Sequence, residues 1–194
     1  GATGVRVDHP ANAVGDNPDV IATMKDVVWG FACKVAHSSK GLTLFGNIEK
    51  GVDQIEKSPA VRGVVIINAK NLIAHDEFLP VVNEADVQTG AEPMYGTFKR
   101  YEVARDLLAG RLFQIGDAVA HEPGQEALNE TFQGKKSIPL FVMYGHTVIG
   151  ARLDGAVMPT SLGVLVSYPP GSVARHDIDV LNLLNTGMNH SPPP

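Results

Sequence analysis

Three residues suited to metal and phosphate chemistry follow one another at even spacing in the first third of the chain. Asp19 lies fifteen residues before Lys34, and Glu49 lies fifteen residues after it. Two carboxylates bind Mg²⁺ through hard oxygen ligands and leave coordination positions for water and a phosphate oxygen. A lysine beside the ion orients the attacking water or stabilises the charge of the transition state. This residue set predicts metal-assisted phosphodiester hydrolysis if the fold brings the three side chains together.

The elements predicted around these residues bring them to one point. The segment "DVIATMKDVVWGFACKV" predicts two short strands joined near Met24–Asp26. A helix after them is predicted by apolar residues on one face, at Leu44, Ile48, Val52 and Ile55. The hairpin brings Asp19 beside the Lys34 strand, and the helix packs across both. Asp53 and Glu56 are competing second ligands on this helix, and Gln54 is a supporting contact.

The remaining pattern predicts an α/β fold with a mixed central β-sheet flanked by helices. A buried strand is predicted over 63–73, a long polar connection over 74–98, a helix over 99–122 and a loop through Gly134. Two strands and a short helix are predicted in the last third. We expect an irregular arm over 1–18, a single α/β domain over 19–188 and a tail over 189–194.

Composition favours a globular, non-membrane protein. The chain has 194 residues, is 44% hydrophobic and carries a formal net charge of −5. It therefore lacks an overall basic surface for nucleic acid, although a local basic cleft is compatible with this charge. No apolar run is long enough for a membrane helix, and the first residues do not resemble a signal peptide. A single cysteine excludes an internal disulfide, so a cytoplasmic location is expected.

The motifs around Lys34 resemble the signature of the PD-(D/E)XK nuclease superfamily. Asp19 in "NPDV", "ACK" at 32–34 and "GVDQIEKS" after them follow the order Pro-Asp, acid-x-Lys and a helix bearing a glutamine. The resemblance covers roughly residues 16–73. It implies a restriction-endonuclease-like core and a Mg²⁺- or Mn²⁺-dependent nuclease. The implied catalytic residues are Asp19, Lys34, Glu49 and Gln54, and the implied metal ligands are Asp19, Glu49 and Asp53.

The sequence departs from this signature at one critical position. Ala32 stands where the family has an acid, and some members replace that acid with a glutamate from the following helix. Glu49 is suitably spaced for this replacement. The alternative is a catalytically inactive relative that keeps the fold and acts as a binding or assembly domain. A third interpretation is purely structural: Lys34 ends a strand and reaches water, and the acids of the helix form its solvated face.

Several other residues bear on partners. Besides Lys34, five lysines between residues 25 and 70 could meet nucleic-acid phosphates, and DNA is favoured over RNA as the partner: Lys25, Lys40, Lys50, Lys57 and Lys70. A homodimer is a further expectation. Cys33 is predicted to be a small buried hydrophobe rather than a nucleophile. The "AHDEF" segment at 74–78 is predicted to line a loop, with a small-molecule hydrolase as the weaker alternative.

Overall fold

A six-stranded mixed β-sheet forms the centre of the molecule in a computed structural model that describes residues 3–7, 18–78, 101–153, 156–168 and 175–189. The strands are β1 Thr3–Val7, β2 Val20–Met24, β3 Val27–Val35, β4 Arg62–Asn68, β5 Ser137–Leu153 and β6 Ala156–Tyr168. The helices are α1 Gly41–Lys57, α2 Tyr101–Val119, α3 Gln125–Phe132 and α4 Arg175–Asn189. A π-helical turn, Ala120–Gly124, joins α2 to α3, and two 3₁₀ turns, Lys70–Leu72 and His75–Glu77, follow β4.

Strand order in the sheet follows chain order from β1 to β6. The first three strands are antiparallel neighbours, β3, β4 and β5 run parallel, and β6 returns antiparallel to β5. Lys25 and Asp26 turn the chain between β2 and β3 with φ of 48° and 61°, which suits a tight two-residue hairpin. The parallel β3–β4 pair requires a crossover, and α1 supplies it.

Helices cover both faces of the sheet. Side chains alternate along β3, so Ala32 and Ala36 pack toward α1 while Trp29 and Phe31 pack on the other face. The first face buries α1, α2 and α3, and the second is covered by α4 through Val180. The nearly continuous apolar sequence of β4 follows from this burial on both faces.

Helix α1 approaches the sheet closely at Gly51. A Cβ atom on Gly51 would lie 2.8 Å from Cγ1 of Val65 and 3.5 Å from Cβ of Ala32. Val65 and Ala32 are both completely buried, so neither can move away into solvent. The absence of a side chain at Gly51 therefore sets the distance between α1 and β3.

The predicted mixed sheet flanked by helices, the hairpin and helix α1 are confirmed. Three boundaries were wrong. Residues 3–7 of the predicted irregular arm form β1, which gains its order from pairing with β2. Residues 125–132 form α3 instead of a loop, because Leu128 and Phe132 bury against the core. Strand β4 ends at Asn68, where the Lys70–Leu72 turn begins.

Part of the predicted organisation lies outside the described residues. This applies to 79–100, which holds most of the long polar connection, and to 8–17 and 190–194 of the predicted arm and tail. Among the helices that the structure describes, none combines the length and apolar character that crossing a membrane requires.

The close approach at Gly51 can be tested with a matched pair of substitutions in α1. Gly51→Ala should lower the free energy of unfolding by about 1–3 kcal/mol, because the new methyl group overpacks against Val65. Gly46→Ala should leave stability unchanged or raise it by up to about 1 kcal/mol, since no atom lies within 4 Å of its added Cβ and alanine favours helix. Urea unfolding of both variants measures the difference. Equal effects would contradict the packing described.

Candidate functional site

Asp19 is held at the entrance of the β2–β3 hairpin by a backbone contact. Its Oδ2 accepts a hydrogen bond of 2.6 Å from the backbone N–H of Cys33. Val20 pairs with Phe31, and continuing that register by one residue puts Asp19 across from Ala32. Opposed residues of an antiparallel pair project to the same face. Asp19 therefore lies on the α1 face of the sheet, the face that Ala32 and Lys34 share.

Lys34 extends from this face to the side of α1. Its Nζ donates a hydrogen bond to Oε1 of Gln54, and the lysine is half-buried. Desolvation by the surrounding protein lowers the pKa of the Lys34 ammonium, while the negative charge of Asp19 opposes this shift. The ammonium of Lys50 lowers the same pKa further, so Lys50 also lies close enough to act on Lys34. The structure thus brings Asp19, Lys34 and Gln54 together, and Lys50 lies one helical turn before Gln54 on α1.

The other predicted ligands lie on different sides of α1. At about 100° per residue, Glu49 is about 140° around the helix from Gln54, and Asp53 is about 100° from it. Both are exposed. Glu56 accepts a hydrogen bond from the backbone N–H of Lys136, and the Lys136 ammonium binds the carbonyl oxygens of Glu56 and Ser58 at 2.8 Å. Glu56 therefore anchors the end of α1 to the start of β5.

The described residues around Lys34 offer few carboxylates that could bind a metal ion. Across the described parts of the chain, no three His, Cys, Asp or Glu side chains are grouped as a metal site. Mg²⁺ in phosphoryl-transfer sites commonly uses one or two carboxylates together with water and substrate phosphate. Metal ligation by Asp19, Glu49 or Asp53 stays a prediction.

Cys33 projects to the face of the sheet opposite Lys34 and is exposed to solvent, so the prediction that it is a buried hydrophobe was wrong. Desolvation by neighbouring protein atoms and the charge of Asp19 raise the pKa of its thiol to about 11, against a smaller opposing effect of Lys34. A thiol with this pKa is almost entirely protonated near neutral pH and is a poor nucleophile.

The His75 segment is engaged in contacts that fix the turn after β4. The His75 ring lies 3.0 Å from the Thr147 hydroxyl and 3.0 Å from the Lys70 carbonyl oxygen. Glu77 forms an ion pair with Arg111 of α2 at 3.0 Å. These contacts agree with a role in lining the loop.

Two features of the site are absent from the sequence interpretation. The lysine nearest to Lys34 on α1, Lys50, was counted only as one of five charges along the segment. Its i, i+4 relation to Gln54 was a signal that could have found it. The second feature is the packing of Ala32 beneath Gly51, which no sequence pattern indicates.

Comparison of the chain with known protein families, curated proteins and solved structures finds no match.

The environment of the single cysteine gives a direct test of the Asp19 contact. Near pH 8 we expect Cys33 to react with iodoacetamide on the order of tenfold to a hundredfold more slowly than glutathione, because the high pKa leaves little thiolate. The rate should rise with pH until the pH approaches the pKa of about 11. Asp19→Asn should accelerate the reaction, since it removes a charge that raises this pKa.

Asp26→Asn is the matched control for this measurement. Asp26 lies at the far end of the same hairpin, is exposed and has φ of 61°, a conformation that asparagine adopts readily. It should leave the alkylation rate unchanged. Equal rates for the wild type and Asp19→Asn would contradict the effect of the Asp19 charge on the Cys33 thiol.

Proposed function

We propose that this chain is a nuclease-type domain that hydrolyses phosphodiester bonds in nucleic acid with the help of Mg²⁺ or Mn²⁺. The observation that carries the proposal is that Asp19, Lys34 and Gln54 lie together at the carboxyl-terminal end of β3. These are the Pro-Asp, acid-x-Lys and helix-glutamine positions of the PD-(D/E)XK signature.

The connectivity around the site supports the same proposal. Antiparallel strands β1, β2 and β3 lead through α1 into β4, which runs parallel to β3. This arrangement is compatible with a restriction-endonuclease-like core. It is also the arrangement that the resemblance requires if Asp19 and Lys34 are to act on one phosphate.

Each side chain has a defined chemical role in this proposal. The Asp19 carboxylate is the ligand for the metal ion, which when bound lowers the pKa of a coordinated water and neutralises phosphate charge. The Lys34 ammonium donates to a phosphate oxygen or to the attacking water and stabilises the negative charge that develops. Gln54 accepts a hydrogen bond from Lys34 and so orients the ammonium. Glu49 and Asp53, the other predicted ligands, lie on other sides of α1, so in this proposal Asp19 holds the metal ion together with water and substrate phosphate.

A second candidate function is a catalytically inactive nucleic-acid-binding or assembly domain with the same fold. It is favoured by Ala32, which has no accessible surface and no acid function at the acid-x-Lys position. The exposed positions of Glu49 and Asp53 favour it too. In this case Lys34 retains phosphate binding without hydrolysis.

Metal binding and cleavage distinguish the two candidates. Titration calorimetry with Mn²⁺ should give binding for the wild type and for Asp26→Asn, and loss of binding for Asp19→Asn. Lys34→Met should keep metal binding but lower the rate of DNA cleavage on the order of a hundredfold or more, because it removes an electrostatic contact to the transition state. Metal binding without cleavage of DNA or RNA would favour the inactive domain. Identical titrations for wild type and Asp19→Asn would exclude the metal site.

Restoring the acid of the signature gives an independent test. Ala32→Asp puts a carboxylate into a position with no accessible surface, so the variant should be less stable than the wild type in EDTA. If Asp19 and position 32 face one metal site, Mn²⁺ should raise the melting temperature of this variant by several degrees more than that of the wild type. Ala36→Asp is the control, because Ala36 lies four residues further along on the same face and is equally buried. Mn²⁺ should not raise the melting temperature of this variant more than that of the wild type. Equal responses to Mn²⁺ would contradict the proposed geometry.

A further inference from the structure

Charge is distributed unevenly around helix α1. Its three acids, Glu49, Asp53 and Glu56, all lie about 100° or more around the helix from Gln54. Within about 40° of Gln54, on the side that meets Lys34, the side chains are Thr43, Asn47 and Lys50. The side of α1 beside the candidate site therefore carries hydrogen-bonding groups and a positive charge but no carboxylate.

Lys34 of β3 and Lys50 of α1 carry like charges at this site. Lys50 is one helical turn before Gln54, the residue that holds the Lys34 ammonium. The positive charge of Lys50 disfavours the charged form of Lys34. Lys50 is exposed and takes part in none of the ion pairs found among the described residues. Asp19 supplies one negative charge near Lys34, and Lys50 adds a second positive charge, so a bound anion stabilises the charged forms of both lysines.

We propose that Lys50 binds a backbone phosphate of the nucleic-acid strand next to the one held by Lys34, so that α1 guides the strand across the site. This inference rests on the proposed nucleic-acid substrate of the Lys34 site and assigns it a second phosphate contact. A phosphodiester chain fits the arrangement because it presents successive negative charges along a line. Thr43 and Asn47 add neutral donors on the same side of the helix.

The position of Asp19 gives this contact a specific purpose. Asp19 lies on the β2 side of Lys34, across from Ala32 in the hairpin, whereas Gln54 of α1 contacts the Lys34 ammonium. A phosphate at Lys34 therefore has a carboxylate on one flank and the Lys50 side of α1 on the other. Attraction to Lys50 draws the nucleic-acid strand toward α1. In the absence of metal, repulsion from Asp19 keeps it away from the β2–β3 hairpin. Lys50 is a positioning residue in this scheme.

The test measures DNA binding in the absence of metal, so that it does not depend on cleavage. Fluorescein-labelled single- and double-stranded DNA is titrated with the full chain in EDTA at several salt concentrations. Lys50→Gln should weaken binding on the order of threefold at low salt and reduce the slope of log affinity against log salt by about one contact. Lys50→Arg should retain most of the affinity, because it keeps the charge.

Lys135→Gln is the matched control, because it removes one exposed charge at the opposite end of the parallel strands, next to the start of β5. It should leave the salt slope nearly unchanged. Equal losses for Lys50→Gln and Lys135→Gln, or no DNA binding by the wild type in EDTA, would overturn the inference. Absence of cleavage with Mg²⁺ would count against the proposed hydrolysis alone, since a selective loss in Lys50→Gln would still establish the phosphate contact.

Discussion

The close packing of α1 on the centre of the sheet is the constraint on which the rest of the structure depends. Gly51 lies over Val65 of β4 and Ala32 of β3, with no space for a side chain between them. This contact fixes the height and the rotation of the helix. The rotation decides which side chains of α1 meet Lys34, and the height decides whether a glutamine at position 54 can reach it. The Gly51 contact therefore determines both how α1 packs on the sheet and which side chains surround Lys34.

Partial burial of the Lys34 ammonium at the end of β3 is unfavourable unless nearby groups compensate for its lost hydration. Desolvation lowers the pKa of Lys34, and the fold supplies the Asp19 charge and the Gln54 carbonyl in compensation. Neither partner neutralises the positive region fully, because Lys50 adds a second charge. This local balance of charges differs from that of the whole chain, which is acidic.

Ala32 has a structural explanation. A residue at this position lies in the core beneath α1 and has no contact with solvent. A small apolar side chain lets Gly51 approach, and it contributes to the same contact that orients Gln54. The small side chain at this position is thus explained by the packing of α1 alone.

Sequence patterns alone determined the elements that have a strong local signal. The period-2 strands around the Lys25–Asp26 turn and the 3.6-residue period of α1 each depend on neighbouring residues, so both were predictable. The same local signals put Asp19, Lys34 and Gln54 within reach of one another. Patterns failed for β1 and α3, because a short strand and a short helix gain their order from pairing and burial against distant residues.

Tertiary structure decided the details on which function depends. The order of the six strands and the covering of both faces are long-range properties that no local period encodes. The rotation of α1 was also undetermined, since a shift of one residue turns the helix by about 100°. That rotation puts Gln54 in contact with Lys34, with Lys50 one turn earlier on α1, and leaves Glu49 and Asp53 exposed on other sides of the helix. The rotation of α1 is fixed by the fit of Gly51 against Ala32 and Val65, a contact between residues far apart in sequence that no local pattern encodes.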